Sequence, residues 1–130
     1  MIVVDTSAWV EYLRGTRGAI ARRLRQMIAD DAPLATTDVV VMELLAGARS
    51  AADRDELRRL LLRCTFLPVR GPVDYEDAAE VFRRCRSEGE TIRKLTDCLI
   101  AVVVMRADAE LLHRDADFDA IARHTALRLA

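Results

Sequence analysis

The sequence predicts an α/β domain with a mostly parallel sheet of four to five short strands and helices on both faces. Three observations lead there. Short apolar runs alternate with longer stretches of helical spacing along the whole chain. Gly or Pro punctuates several of the junctions, as at Gly15, Pro33, Gly47, Pro68 and Gly89. Four carboxylates, Asp5, Glu43, Asp97 and Asp115, sit where an apolar segment ends or is interrupted. Alternation of this kind joins parallel strands through crossover helices and brings one edge of the sheet to face a ligand.

The elements follow in order. Ile2-Val3-Val4 reads as a buried strand. Thr6 or Ser7 caps a short helix carrying Trp9, Val10 and Leu13, with Gly15 as its stop. Ile20, Leu24, Met27 and Ile28 have helical spacing, which continues to about Asp30. Pro33 ends that helix and Leu34-Ala35-Thr36 forms a second strand. Asp38 caps a helix reaching Ala46, stopped by Gly47, and Ser50 opens another with Leu57, Leu60 and Leu61 inward. Phe66-Leu67-Pro68-Val69 reads as a third strand, shortened by its proline. Val73 to about Glu88 is helical, with Ala78, Val81, Phe82 and Cys85 on one face and Gly89 as its end. Thr96 to Arg106 is a strongly apolar central helix. Glu110 to His113 is a fourth strand, Asp115 to Arg123 a last helix, and Leu127-Arg128-Leu129 an edge strand.

Composition narrows the function. At 130 residues, 52% of them hydrophobic, the chain suits one domain spanning 1–130 with a real core. The longest apolar run, Cys98 to Met105, is eight residues, against roughly 18 or more for a membrane span. Met1-Ile2-Val3-Val4-Asp5 has no basic leader, which points to a cytoplasmic protein. Three widely spaced cysteines, Cys64, Cys85 and Cys98, suit reduced core thiols. Two histidines and no CxxC argue against zinc. A net charge of −1 argues against indiscriminate binding to polyanions, although arginines cluster locally.

A carboxylate beside a core segment is unfavourable unless something pairs with it. One such residue is commonly a helix cap. Four spread over the chain suggest an acidic cluster around a hard cation, Mg²⁺ or Mn²⁺. Asp5 and Asp115 follow strands directly, Asp97 opens a helix, and Glu43 lies one turn inside another. Each has another reading as a cap, a dipole partner or half of an ion pair. Asp117 stands between a further ligand and a solvated helix start, and Asp119 faces solvent. Thr6 and Ser7 are candidate phosphate contacts as well as caps, and Arg93 and Lys94 precede the Asp97 helix as candidate phosphate contacts. Trp9 reads as packing, and His113 and His124 as structural or exposed.

These residues resemble a known family. Val3-Val4-Asp5-Thr6-Ser7-Ala8-Trp9 resembles the opening of PIN-domain ribonucleases. Val41-Met42-Glu43-Leu44-Leu45-Ala46-Gly47 resembles their second acidic position, Thr96-Asp97-Cys98-Leu99-Ile100-Ala101 the third, and His113-Arg114-Asp115-Ala116-Asp117-Phe118 the fourth. The small size without appended domains resembles the VapC toxins of bacterial toxin–antitoxin pairs. The resemblance implies a PIN-like α/β/α sandwich and a Mg²⁺- or Mn²⁺-dependent endoribonuclease acting on single-stranded or looped RNA. It implies Asp5, Glu43, Asp97 and Asp115 as the catalytic metal ligands, a homodimer, and a VapB-like antitoxin that blocks the site. Two other classes stay open. One is an Asp-based phosphotransfer or phosphatase domain, against which the position of the sole lysine, Lys94, counts. The other is a catalytically silent module on the same fold, against which the four intact acids count.

Overall fold

The computed structural model describes residues 1–130. Five strands and seven helices alternate: β1 (Ile2–Val4), α1 (Thr6–Leu13), α2 (Ala19–Ala29), β2 (Leu34–Thr36), α3 (Asp38–Ala46), α4 (Ala51–Leu62), β3 (Thr65–Phe66), α5 (Val73–Ser87), α6 (Leu95–Arg106), β4 (Glu110–Leu112), α7 (Ala116–His124) and β5 (Arg128–Leu129). The strands form one sheet in the order β3-β2-β1-β4-β5, and every pairing is parallel. Val3 pairs with Ala35 on one side and Leu111 on the other.

This order has one switch point. The chain steps outward from β1 to β2 to β3, then returns across β1 to β4 and β5. Right-handed crossovers therefore place the outward helices on one face and the return helices on the other. The packing largely agrees: α1 contacts α2 and α3, and α3 contacts α4, whereas α5, α6 and α7 pack mainly on one another, with α3 touching α6. The switch point lies between β1 and β4, where ligands bind at the carboxyl ends of such sheets. Asp5 and Asp115 stand beside those two ends.

Burial explains the strand sequences. Val3, Val4, Leu111 and Leu112 are all buried, because both faces of the sheet are covered. The helix α6 lies deep in the core: from Asp97 to Val104 every residue is buried. It could not be amphipathic, and its sequence is apolar all round. Trp9, Leu24, Phe118 and Ile121 are among the largest fully buried side chains of the core. All three cysteines are free thiols, with Cys85 and Cys98 buried. No helix is long and apolar enough to cross a membrane.

Sequence expectations shift at several element ends, most by one residue: β4 stops at Leu112 and not His113, Asp115 caps α7 and does not open it, and β5 starts at Arg128 and not Leu127. The third strand runs Thr65–Phe66 and not Phe66–Val69. Leu67 N–H still donates to Thr36 O at 2.8 Å, but Pro68 has no N–H and Val69 N–H turns to the Asp38 carboxylate at 2.6 Å. The Asp5 carboxylate, not Thr6 or Ser7, caps α1. Thr37 occupies the cap position of α3, with Asp38 as its first helical residue. The glycine stops hold: Gly15 and Gly89 have φ of +64° and +86°, the left-handed region that glycine enters without steric conflict.

Candidate active site

The residues following β1 build one wall of the site. Asp5 follows the strand directly, and its backbone N–H donates to Leu112 O at 2.9 Å, locking it beside β4. Its Oδ2 accepts Ser7 N–H at 2.9 Å and the Ser7 hydroxyl at 2.5 Å. Ser7 Oγ in turn accepts the Arg114 N–H at 2.9 Å. A short relay thus joins the chain after β4 to the Asp5 carboxylate. Thr6 donates to Glu43 Oε1 at 3.1 Å and ties α1 to α3. Both hydroxyls, read from the sequence as caps or phosphate contacts, hold carboxylates.

Asp97 enters from the first turn of α6 and is only 3% exposed. Its Oδ2 is buried and has no hydrogen-bond partner. Asp115 caps α7, taking Asp117 N–H on Oδ1 at 3.0 Å. Its own N–H donates to His113 Nδ1 at 3.0 Å, which assigns the neutral His113 proton to Nε2. The His113 ring packs on Phe118 with centroids 5.3 Å apart, so this histidine positions the turn.

Asp5, Thr6, Ser7, Glu43, Lys94, Asp97 and Asp115 line one cleft of about 290 Å³. The four acids that the sequence singled out therefore face a common space. Asp117 stands at its flank: one oxygen from each of Asp97, Asp115 and Asp117 lies within 4.8 Å of the others. Arg93 sits apart from the cleft lining, with its guanidinium on Asp115 and Asp117. Asp119 is exposed and near His113, and His124 is engaged with Glu90.

Two lining residues escaped the sequence reading, Glu11 and Arg114. Glu11 follows Ser7 by one helical turn, so the i, i+4 spacing was the available signal. Arg114 lies inside the fourth motif, between His113 and Asp115.

The electrostatics are those of crowded, buried carboxylates. Burial pushes the Asp97 carboxyl up to about 7, and the Asp5 and Asp115 carboxylates push the same way. Burial also raises Asp5 above the ordinary carboxylate value, against the Ser7 donors that favour its ionised form. Crowded, desolvated acids resist losing their protons. The donor set is all oxygen, with one buried oxygen left unpartnered. Such a set fits a hard divalent cation and not a soft one.

The sequence profile of the PIN domain matches residues 2–124. This chain belongs to the PIN-domain family. The PIN chain is 42% identical over 131 residues to Ribonuclease VapC11 of Mycobacterium tuberculosis, covering 100% of this chain and 98% of that protein. Among solved structures, VapBC2 from Rickettsia felis bound to a promoter DNA fragment superposes with a TM-score of 0.77 at 19% identity, over 100% of this chain and 98% of that one. The Mycobacterium tuberculosis VapC20 toxin, which cleaves the sarcin–ricin loop, superposes with a TM-score of 0.70 at 21% identity, over 98% and 99%. These two likenesses establish that the PIN fold of this chain is shared with such proteins.

Proposed function

We propose that this PIN domain is a divalent-metal-dependent endoribonuclease and the toxin of a VapBC-type toxin–antitoxin pair. One observation carries the metal chemistry: Asp5, Glu43, Asp97 and Asp115 line a single cleft in which Asp97 Oδ2 has no partner. The 42% identity to a ribonuclease along the full chain supports the reaction class. Asp5, Glu43, Asp97 and Asp115 would hold the ion, Mg²⁺ or in its place Mn²⁺. When bound, such an ion lowers the pKa of the attacking water and offsets charge on the phosphoryl oxygens. The chain's own residues do the rest. Ser7 and Thr6 fix two of the carboxylates. Lys94 and Arg114, the cations lining the cleft, bind RNA phosphates.

The partner reading rests on a second feature. A groove between α1, α3 and α4 begins at Thr6, Val10 and Glu43 and continues past Leu13, Leu44 and Leu57. Shared residues make it continuous with the acidic cleft. An antitoxin tail laid along it reaches the carboxylates with an arginine, whose charge-assisted hydrogen bonds block the ion. The protein acts in the cytoplasm as a homodimer of single-domain chains.

The test is cleavage of RNA by the purified chain with Mg²⁺ or Mn²⁺, with EDTA, and with Asp97→Asn. Cleavage should require the ion and fall sharply in the variant. Cleavage that survives EDTA defeats the metal mechanism. A trapped phosphoenzyme would favour the phosphotransfer class.

A further inference from the structure

Arg93 makes three contacts with two neighbouring acids. Its backbone N–H and its Nε–H both donate to Asp117 Oδ2 at 3.1 Å. Its Nη2 donates to Asp115 Oδ1 at 3.0 Å. Asp115 Oδ1 also takes the Asp117 N–H at 3.0 Å. The two carboxylates are largely buried, with side chains 13% and 14% exposed, whereas the Arg93 side chain is 69% exposed. The guanidinium therefore closes this end of the acidic cluster from the solvent side.

We propose that Arg93 stands in for a second divalent cation and limits the site to one ion. This rests on the metal-site reading above and specifies how that site is loaded. An ion at the cleft would be held by Asp5, Glu43, Asp97, whose Oδ2 has no partner, and Asp115, whose Oδ2 Arg93 leaves free. A second ion, about 3.5–4 Å away in two-metal sites, needs carboxylate oxygens beyond the first. On this flank those oxygens belong to Asp115 and Asp117, which each bring one oxygen within 4.8 Å of an Asp97 oxygen and of each other. Asp115 Oδ1 and Asp117 Oδ2 already face a cation. A planar guanidinium suits this task, because its fork grips two carboxylates in fixed geometry and stays charged at every working pH. The backbone N–H of Arg93 anchors the same Asp117 oxygen, so the fork is held by its own chain.

Mn²⁺ titration of the full chain by calorimetry, above neutral pH, tests this, with the electron paramagnetic resonance spectrum as a second readout. The parent should take up one ion per chain and show an isolated-ion spectrum. Arg93→Gln and Arg93→Met should each take up two and show the broadening of a coupled pair. Arg93 is exposed, so both variants should keep the parent's far-ultraviolet circular dichroism. A parent that binds two ions overturns the Arg93 inference and leaves the metal site standing. Variants that stay at one ion overturn it equally. A parent that binds no Mn²⁺ defeats the metal reading itself, and this inference with it.

Discussion

The Ser7 hydroxyl donates to Asp5 Oδ2 at 2.5 Å while its oxygen accepts the Arg114 N–H at 2.9 Å, so one side chain couples both strands of the switch point. Ser7→Ala removes both bonds at once. Asp5 keeps only the Ser7 N–H as donor to Oδ2, and Arg114 N–H loses its acceptor. Asp5 Oδ2 stays paired and water can reach the exposed Arg114 N–H, so the loss is that of an ordinary hydrogen bond, about 0.5–1.5 kcal/mol. Removing a group that orients a metal ligand weakens ion binding by roughly 10–100-fold. Denaturant melts and Mg²⁺ titrations of Ser7→Ala should show both losses. An unchanged ion affinity would mean that Asp5 needs no help from Ser7.

The carboxylates themselves should dominate catalysis. Asp5→Asn, Glu43→Gln and Asp97→Asn each remove charge and a donor oxygen from the cleft without changing side-chain volume. Each should lower RNA cleavage by roughly 10²-fold or more while leaving the fold intact. Initial rates on a mapped RNA, beside circular dichroism, check this. Full activity in two of the three would place the ion elsewhere.

Legibility followed the kind of signal each residue carries. Asp5, Glu43 and Asp97 were visible because a lone charge in an apolar run is conspicuous. The strand pattern was visible for the same reason, since Val3-Val4 and Leu111-Leu112 are buried on both faces. Glu11 and Arg114 were missed because a half-exposed or exposed charge looks like any solvated residue. Arg93 was seen as cationic, but its partners lie 22 and 24 residues away and depend on α7 docking beside the start of α6. Asp74 shows the limit most clearly. At the first turn of α5 it looks like a dipole partner facing water, yet it is 1% exposed and paired with Arg106, 32 residues away.

That pair makes a prediction about the frame and not the site. Arg106 donates to Asp74 Oδ2 at 2.9 Å and to Pro68 O at 2.7 Å, and Arg70 N–H donates to the same Asp74 oxygen at 2.7 Å. Burial alone would raise the Asp74 carboxyl, but the Arg70 N–H and the Arg106 guanidinium together hold it below the ordinary value. Arg106→Met strands the carboxylate. Breaking a fully buried pair costs ~3–5 kcal/mol; Arg106 reaches solvent, so about 2–3 kcal/mol is expected here. Because the folded-state value is depressed, this stabilisation is present above the unfolded value and is lost as pH falls through the folded one. Urea melts of Arg106→Met should show the loss near neutrality, with Mg²⁺ affinity unchanged. A variant as stable as the parent would show that the pair contributes nothing net.

Asp97 makes the opposite pH prediction. Its carboxyl rises from 3.8 to about 7 in the folded, ion-free protein. Between those values the folded state holds a proton that the unfolded state has released. Stability contributed by this group therefore falls as pH rises from about 4 to about 7 and is level beyond. Asp5 shifts in the same direction and adds to the trend. Asp97→Asn should flatten the profile, and near neutrality the ion-free variant should be at least as stable as the parent, because a crowded charge has gone. The helix-start interaction that it also loses is worth only about 0.3–1 kcal/mol. Mg²⁺ should reverse the ranking. It stabilises the parent by mass action, about 2.7 kcal/mol at a hundredfold excess over Kd, and the variant by much less. Since the ion must displace the Asp97 proton, its affinity for the parent should climb with pH up to about 7 and then level off. Thermal melts of both proteins across this pH range, in EDTA and in Mg²⁺, read all of these outcomes. A parent whose melting temperature ignores both Mg²⁺ and Mn²⁺ would remove the basis for a preformed metal site.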